Sequence, residues 1–458
     1  MPQLTVPSTK SPKSRLLIAA ICVFAGLAGL AASAFLAYRL FLNPYRGTLK
    51  TAAETLPLEQ IIPAAQAVED IDYAMKMLRN RHPAWLETGN PQVAATEERY
   101  TAERAALAAA GSGVTVLAEW QALSRMMHAL GDGHTGIYCR NTAMRYINDF
   151  SQLQEYGLPV TINGEPTDAV RQRFLQLYQY EMESYANAIF LAKILITEAY
   201  LQWVGVATAD GVSYRFATPS GEKDVHYDFV PIGEVQGYTA GSQDKTSWVS
   251  YEIDRERGTG IFTLTSCNYN REYRDTLRDF FTAVRDENID SIIVDLRQNG
   301  GGSSLVANAF LRYLNRDGYY GWPSHIRYGN FLVKNKKSFI RNNRLEPKFS
   351  GDLYLLTSSR TFSAAMDFTM LVLDNGLGTV AGEEPGNLPD SYGDTLEFAT
   401  PHSRLHFTVS FKRWFRIDES KSDRPLQPDC PCKADDAQEK AFEIISKKRT
   451  VHGGPHDY

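Results

Sequence analysis

Three stretches of this chain hold residue types that could do chemistry together. The first is Asp290 to Ser304, DSIIVDLRQNGGGSS, a short Ile- and Val-rich run that stops at Asn299, Gly300, Gly301 and Gly302. A strand, a glycine loop and a helix start present backbone N–H groups to an anion. The second is Ser358 to Ala365, which puts Ser363 at a helix start directly after a strand. A serine there is a favoured N-cap. Its hydroxyl also lies beside N–H donors and the positive end of the helix, which suits a nucleophile whose product is an oxyanion. The third is Gly131-Asp132-Gly133-His134-Thr135, a histidine framed by glycines just past a helix end, a setting that packing alone explains poorly. The glycine loop lacks GxxxxGK[ST], and the GxGxxG register meets Leu305 where its third glycine belongs, so a phosphate cradle is disfavoured.

The elements that must position these residues read as α/β. Gly260 to Ser266, Ser291 to Leu296, Leu353 to Thr357 and Gly378 to Gly382 are predicted strands; Tyr269 to Asp286, Leu305 to Leu314 and Ser363 to Leu373 are predicted helices between them. Strands alternating with helices imply a largely parallel sheet, whose ligands bind beyond the carboxyl ends of the strands. The loops after Leu296, Thr357 and Gly382 are therefore expected to converge.

Upstream, Leu56 to Leu130 has helical periodicity, with a break at His82-Pro83 and a last helix over Val114 to Leu130. A middle region runs to about Gly241, with a helical, aromatic-rich stretch at Tyr178 to Trp203 and strands at Val212 to Phe216 and Val225 to Val230. Leu16 to Tyr38 carries no charge, follows Lys10, Lys13 and Arg15, and would span about 35 Å as a helix. It is expected to be an uncleaved membrane anchor with a cytoplasmic N-terminus, although Ala32-Ser33-Ala34 fits a cleavage site.

With 458 residues, 43% hydrophobic and a net charge of −5, the chain has a sizeable core and no basic field for nucleic acid. Of its five cysteines, Cys139, Cys267, Cys430 and Cys432 lie beyond the apolar segment, and at least one disulfide is expected among them. Cys430-Pro431-Cys432 has no companion ligand pair of the kind a metal site needs.

Taken in order, GDGHT at Gly131 to Thr135, GIFTLTS at Gly260 to Ser266, IIVDLRQNGGG at Ile292 to Gly302, LLTSSRTFSAAMDF at Leu355 to Phe368 and GTVAGEEPGNLPDSYGD at Gly378 to Asp394 resemble the S41 peptidases, the tail-specific and carboxyl-terminal processing proteases and the core of tricorn. The resemblance implies a ClpP- or crotonase-like ββα core over about 250–450, and LPVTINGEP looks like the remnant of a PDZ-like module; the chain is thus expected to divide into a tail and transmembrane helix in 1–45, a helical N-terminal region over 56–140, a degenerate, PDZ-like middle region over 141–245 and that core. It implies Ser363 as nucleophile, His134 as general base in the manner of the tricorn-like branch, and the N–H groups of Gly301 and Ala364 as the oxyanion hole. It implies no metal or organic cofactor, and protein or peptide substrates. The chain departs from the family pattern in three places. Leu388 stands where many members keep a lysine base, Met366 where a glutamate is common, and Gly133 where tricorn has a serine. The acid supporting the base is left among Glu383, Glu384 and Asp390.

Two functions compete: a membrane-anchored serine peptidase acting outside the cytoplasm, and an S41-like peptide-binding or scaffold protein that has lost its chemistry. The missing lysine and Met366 favour the second; the retained His134, Ser363 and Gly300 to Gly302 favour the first.

Overall fold

A computed structural model describes residues 12–51, 53–236 and 247–452. Residues 1–11, within the expected cytoplasmic tail, and residues 237–246, at the end of the expected middle region, lie outside them. The chain opens with α1 (Pro12–Ala37), continued by a wider turn over Tyr38–Leu42. Its apolar side chains, Phe24 and Leu30 among them, are exposed. Of the described helices this one is long and apolar enough to cross a membrane, a property that a signal sequence shares.

The N-terminal region is built mainly from three helices. Helices α2 (Ala64–Arg81) and α4 (Val116–His128) pack through apolar stripes of Ile71, Met75 and Leu78 and of Trp120, Leu123 and Met127, while α3 (Pro91–Ala108) buries only Thr96, Glu103 and Leu107. Pro83 ends α2, and Asn90 and Thr115 cap α3 and α4 with their side-chain oxygens.

The middle region differs from its reading. Tyr178 to Trp203 is broken into Glu183–Ile189, a π-type turn at Phe190–Ile194 and Glu198–Trp203. Its aromatics are spread around the helix and serve a core that reaches it from several sides: Phe190 packs on Phe174, and Trp203 stacks on Trp120. Val212–Thr218 and Gly221–Tyr227 form a hairpin within a four-stranded antiparallel sheet that also holds the short pair from LPVTINGEP, Thr161–Ile162 and Glu165–Pro166.

Beyond residue 247 the chain runs β1 (Val249–Asp254), β2 (Thr259–Leu264), α5 (Arg271–Asp286), β3 (Ser291–Asp295), α6 (Leu305–Leu311), β4 (Ser324–Tyr328), β5 (Phe331–Asn335), β6 (Asp352–Thr357), α7 (Ala364–Asp374), β7 (Thr379–Gly382), β8 (Ser391–Ala399), β9 (His406–Trp414), β10 (Cys430–Pro431) and α8 (Ala437–His452). The central sheet has the order β1-β2-β3-β6-β7-β10; β1 pairs antiparallel with β2 and every other neighbour is parallel. Ile292 and Val294 face the core of α5, α6 and α7, while Ile293 with Tyr354 faces the smaller core under α8. Burial on both faces accounts for the unbroken apolar run. A second sheet, β5-β4-β9-β8 with Ile137–Tyr138 paired to β9, ties the N-terminal region to the C-terminal half. The expected disulfide is absent: Cys139 and Cys267 are free thiols buried in separate cores, and Cys430 and Cys432 are free as well.

Candidate active site

The loops after the parallel strands do converge. Leu296 N–H donates to Leu356 O and Thr361 Oγ1 donates to Leu296 O at 2.8 Å, joining the β3 and β6 loops, while Glu383 N–H donates to Thr357 O and draws in the loop after β7. Ser363 stands at the head of α7 with φ +55° and ψ −126°, a backbone conformation that costs a non-glycine residue on the order of 1–3 kcal/mol. Its N–H is held by Asn387 Oδ1 at 2.7 Å. The Ser363 side chain makes no capping hydrogen bond, so the helix-cap role open to such a serine is unused. A strained serine at a strand-to-helix turn, with its hydroxyl free, is the local geometry of an exposed nucleophile.

Gly301 lies directly under it. A Cβ there would stand 2.6 Å from Ser363 Cβ and 2.7 Å from Phe362 O, and the residue has φ +99°, so only glycine fits. The N–H expected to serve an oxyanion is engaged elsewhere, however: Gly301 donates it to Asn299 Oδ1 at 2.9 Å. Asn299 is fully buried and turns back on its own loop, a local bond that spacing alone does not announce. The part of the loop that lines the pocket is Gly302 and Ser304, facing Ala364, whose N–H has no partner among the described residues.

His134 lines the same pocket as Ser363, together with Asp367, Asn387, Ser391, Asp394 and Trp414. The pocket is narrow, about 20 Å³, and no hydrogen bond joins the two side chains. The His134 ring is tilted against Phe362 at 4.7 Å, and its backbone is fixed by N–H donation to Asp132 Oδ1 at 2.8 Å and by Thr408 Oγ1 donating to His134 O at 2.7 Å. Its Nδ1 is buried without a hydrogen-bond partner, with Asp132 Oδ1 and Glu181 Oε1 each 3.9 Å away. Burial lowers the His134 pKa below the usual imidazole value, against the opposing pull of Asp132 and Asp394.

The acids beside His134 differ from those the sequence offered. Glu383 accepts from Ser359 N–H and Ala434 N–H, Glu384 bonds Gln427, and Asp390 accepts from Arg416 N–H and Asp423 N–H; none of the three reaches His134. Asp132 and Glu181 take the position. Asp132 is fully buried, with His82 Nε2 at 3.1 Å and Ser410 Oγ donating at 2.7 Å to its Oδ2. Those bonds and the charge of neighbouring imidazoles outweigh burial and hold its carboxyl well below the usual range. Because His82 Nδ1 accepts from Ala84 N–H, its Nε2 carries the proton given to Asp132. Glu181 accepts Gly133 N–H at 3.2 Å and Leu388 N–H at 2.9 Å, and burial raises its pKa well above that of a free glutamate. Sequence reading missed both acids. Asp132 had a signal in its place two residues before His134, whereas Glu181, in a region read only as helical, had none.

Asp132, His134 and Glu181 bring ligand-type atoms within 4.8 Å of one another, the arrangement a small cation could use. Every carboxylate oxygen of the pair accepts a hydrogen bond, which fixes the orientation of both acids beside the imidazole. Asp367, one turn after Ser363, has its carboxyl pushed up to about 7 by burial and by Asp394. Lys412 is ion-paired with Asp394 at the edge of the pocket and does not line it.

The model of peptidase family S41 matches residues 258–431. No curated protein matches the chain. Among solved structures, mature CPAF complexed with lactacystin is similar with TM-score 0.59 and 13% identity, over 85% of this chain and 98% of that one. A CPAF point mutant gives TM-score 0.60 at 13% identity, over 84% of this chain and 96% of that one. Identities this low establish a shared fold, and they extend it well beyond the matched segment. The segment 258–431, with Ser363 and the glycine loop inside it, thus matches peptidase family S41, a family of serine-type hydrolases.

Proposed function

We propose that the chain is a membrane-anchored serine peptidase that hydrolyses peptide bonds of proteins or peptides outside the cytoplasm, with Ser363 as nucleophile and His134 as general base. What carries this reading is one pocket shared by a strained, uncapped Ser363 and a His134 whose Nδ1 is turned into buried carboxylates, which leaves Nε2 for the serine. Ser363 Oγ attacks the carbonyl carbon, His134 Nε2 takes its proton and passes it to the leaving amine, and water repeats the sequence to release the acyl group. Asp132, kept ionised by His82 and Ser410, supplies the negative charge that the imidazolium meets. Glu181 fastens the Gly133 loop to the Leu388 loop and so sets His134 relative to the Asn387 that holds Ser363. The oxyanion is received by Ala364 N–H and by the glycine loop at Gly302, in place of Gly301 while that N–H is given to Asn299. The apolar α1, followed by a domain that begins at once, supports anchoring; orientation rests on the basic residues before it.

The scaffold reading keeps one observation in its favour, the narrow pocket without a serine–histidine bond. Fluorophosphonate labelling separates the two. Wild-type protein is expected to label and Ser363→Ala is not; an unlabelled wild type that still binds peptide would establish the scaffold.

A further inference from the structure

Between Asp317 and Glu346 the chain has six Lys and Arg residues and no Asp or Glu, in a protein whose net charge is −5. This stretch contains β4, β5 and the strand Ser338–Arg341, which pairs with Gly318–Gly321. Strand β5 is the edge of its sheet. One face of it lies toward Pro83–Leu86, while the other turns Phe331 (66% exposed) and Val333 (45% exposed) to the outside, and Phe339 (55% exposed) follows on the next strand. Lys334, on the opposite face of the strand, and Lys336 and Lys337, beyond its end, are interleaved in sequence with these apolar residues; among the described residues no carboxylate pairs with them, and Lys337 donates to Ile417 O at 2.8 Å. A large apolar side chain left in water gains nothing, and lysines beside it without a carboxylate repel one another.

The position of this surface accounts for both. The turn between β4 and β5 abuts the end of the apolar helix: the Gly329 backbone packs against Phe41 O, with Leu42 behind it. Phe331 therefore begins two residues from the point where the helix leaves the apolar span. Aromatic and aliphatic side chains mixed with lysines, next to a membrane-spanning segment, suit the boundary between acyl chains and anionic headgroups. We propose that the exposed face of β5 and the lysine-rich link that follows it form a second membrane contact, in which Phe331 and Val333 enter the interface and Lys334, Lys336 and Lys337 bind anionic phospholipid headgroups. This rests on the anchored reading and goes beyond it: the catalytic half lies against the bilayer, held at two points.

The test uses the full-length chain in vesicles of phosphatidylcholine with phosphatidylglycerol, with p-benzoylphenylalanine placed at Phe331 or, as a control, at Tyr251 on the far edge of the central sheet. Flotation of the vesicles checks the anchor separately. The expected result is a floating protein that forms a phospholipid adduct on illumination at position 331 and none at 251, with the adduct reduced several-fold when Lys334, Lys336 and Lys337 are all changed to Glu. A floating protein that crosslinks at 331 to a second copy, to an added acidic peptide or to nothing overturns the second contact and leaves the anchor standing. Failure to float overturns both.

Discussion

At the scale of single residues, the proposed chemistry depends on a proton acceptor that is neutral under ordinary conditions. His134 is held below the usual imidazole pKa by burial. Activity is therefore lost as pH falls through that lowered value, which places the acid limb of kcat/KM below about pH 6.5 rather than across pH 6 to 7, where an unperturbed histidine would put it. A pH-rate profile checks this directly. His134→Ala is expected to lower kcat by about 10²-fold or more while Lys412→Ala changes it little; the reverse outcome would mean a displaced serine–lysine pair. Glu181→Gln keeps the size of the side chain and one acceptor, and its expected effect is a small loss in kcat with KM unchanged, measured beside Asp132→Asn as the larger loss. Ser363 and His134 were legible because glycines and a strand-to-helix junction mark them locally. Glu181 and Asn387 were not, since each reaches the site through a side chain whose partner is far away in sequence.

At the scale of elements, the glycine loop and the helices around it make separable demands. Gly301→Ala would drive a methyl group into Ser363 Cβ and Phe362 O from a positive φ. It is expected to lower kcat by about 10²-fold or more with a modest fall in Tm, whereas Gly300→Ala, where a Cβ meets nothing, should be far milder. In α4, Glu119 is buried beside Asp70 and accepts from Ser403 Oγ, and burial with the neighbouring charge raises its pKa well above 4.5. A folded-state pKa above the unfolded one contributes stability that is full below about pH 4.5 and is lost as pH rises through the raised value. Glu119→Gln is expected to match the wild type near pH 4.5 and to exceed its Tm increasingly toward pH 8, by differential scanning fluorimetry. The α/β core strands were readable to within about two residues because burial on both faces leaves an uninterrupted apolar run bounded by turns. Tyr178 to Trp203 was misread because aromatic content says nothing of where a helix breaks.

At the scale of the whole molecule, the chain leaves its apolar helix and is seized at once. Pro44 is buried, Tyr45 meets Phe411 at 5.5 Å, Arg81 donates to Arg46 O at 2.9 Å and Leu49 N–H donates to Glu397 O at 2.8 Å. Phe411 is three residues along β9 from Trp414, which lines the pocket, a separation of about 10 Å on an extended strand. In place of a tether, the exit is a rigid bracket. On the anchored reading, a peptidase mounted this way would work as a height gauge, meeting only those bonds that a membrane-fixed substrate presents at one elevation. Reporters carrying a cleavable segment at graded distances from the bilayer are expected to be cut within a narrow band, and inserting about ten Gly/Ser residues between Leu42 and Asn43 should broaden that band by roughly 15–20 Å while leaving hydrolysis of a free peptide unchanged.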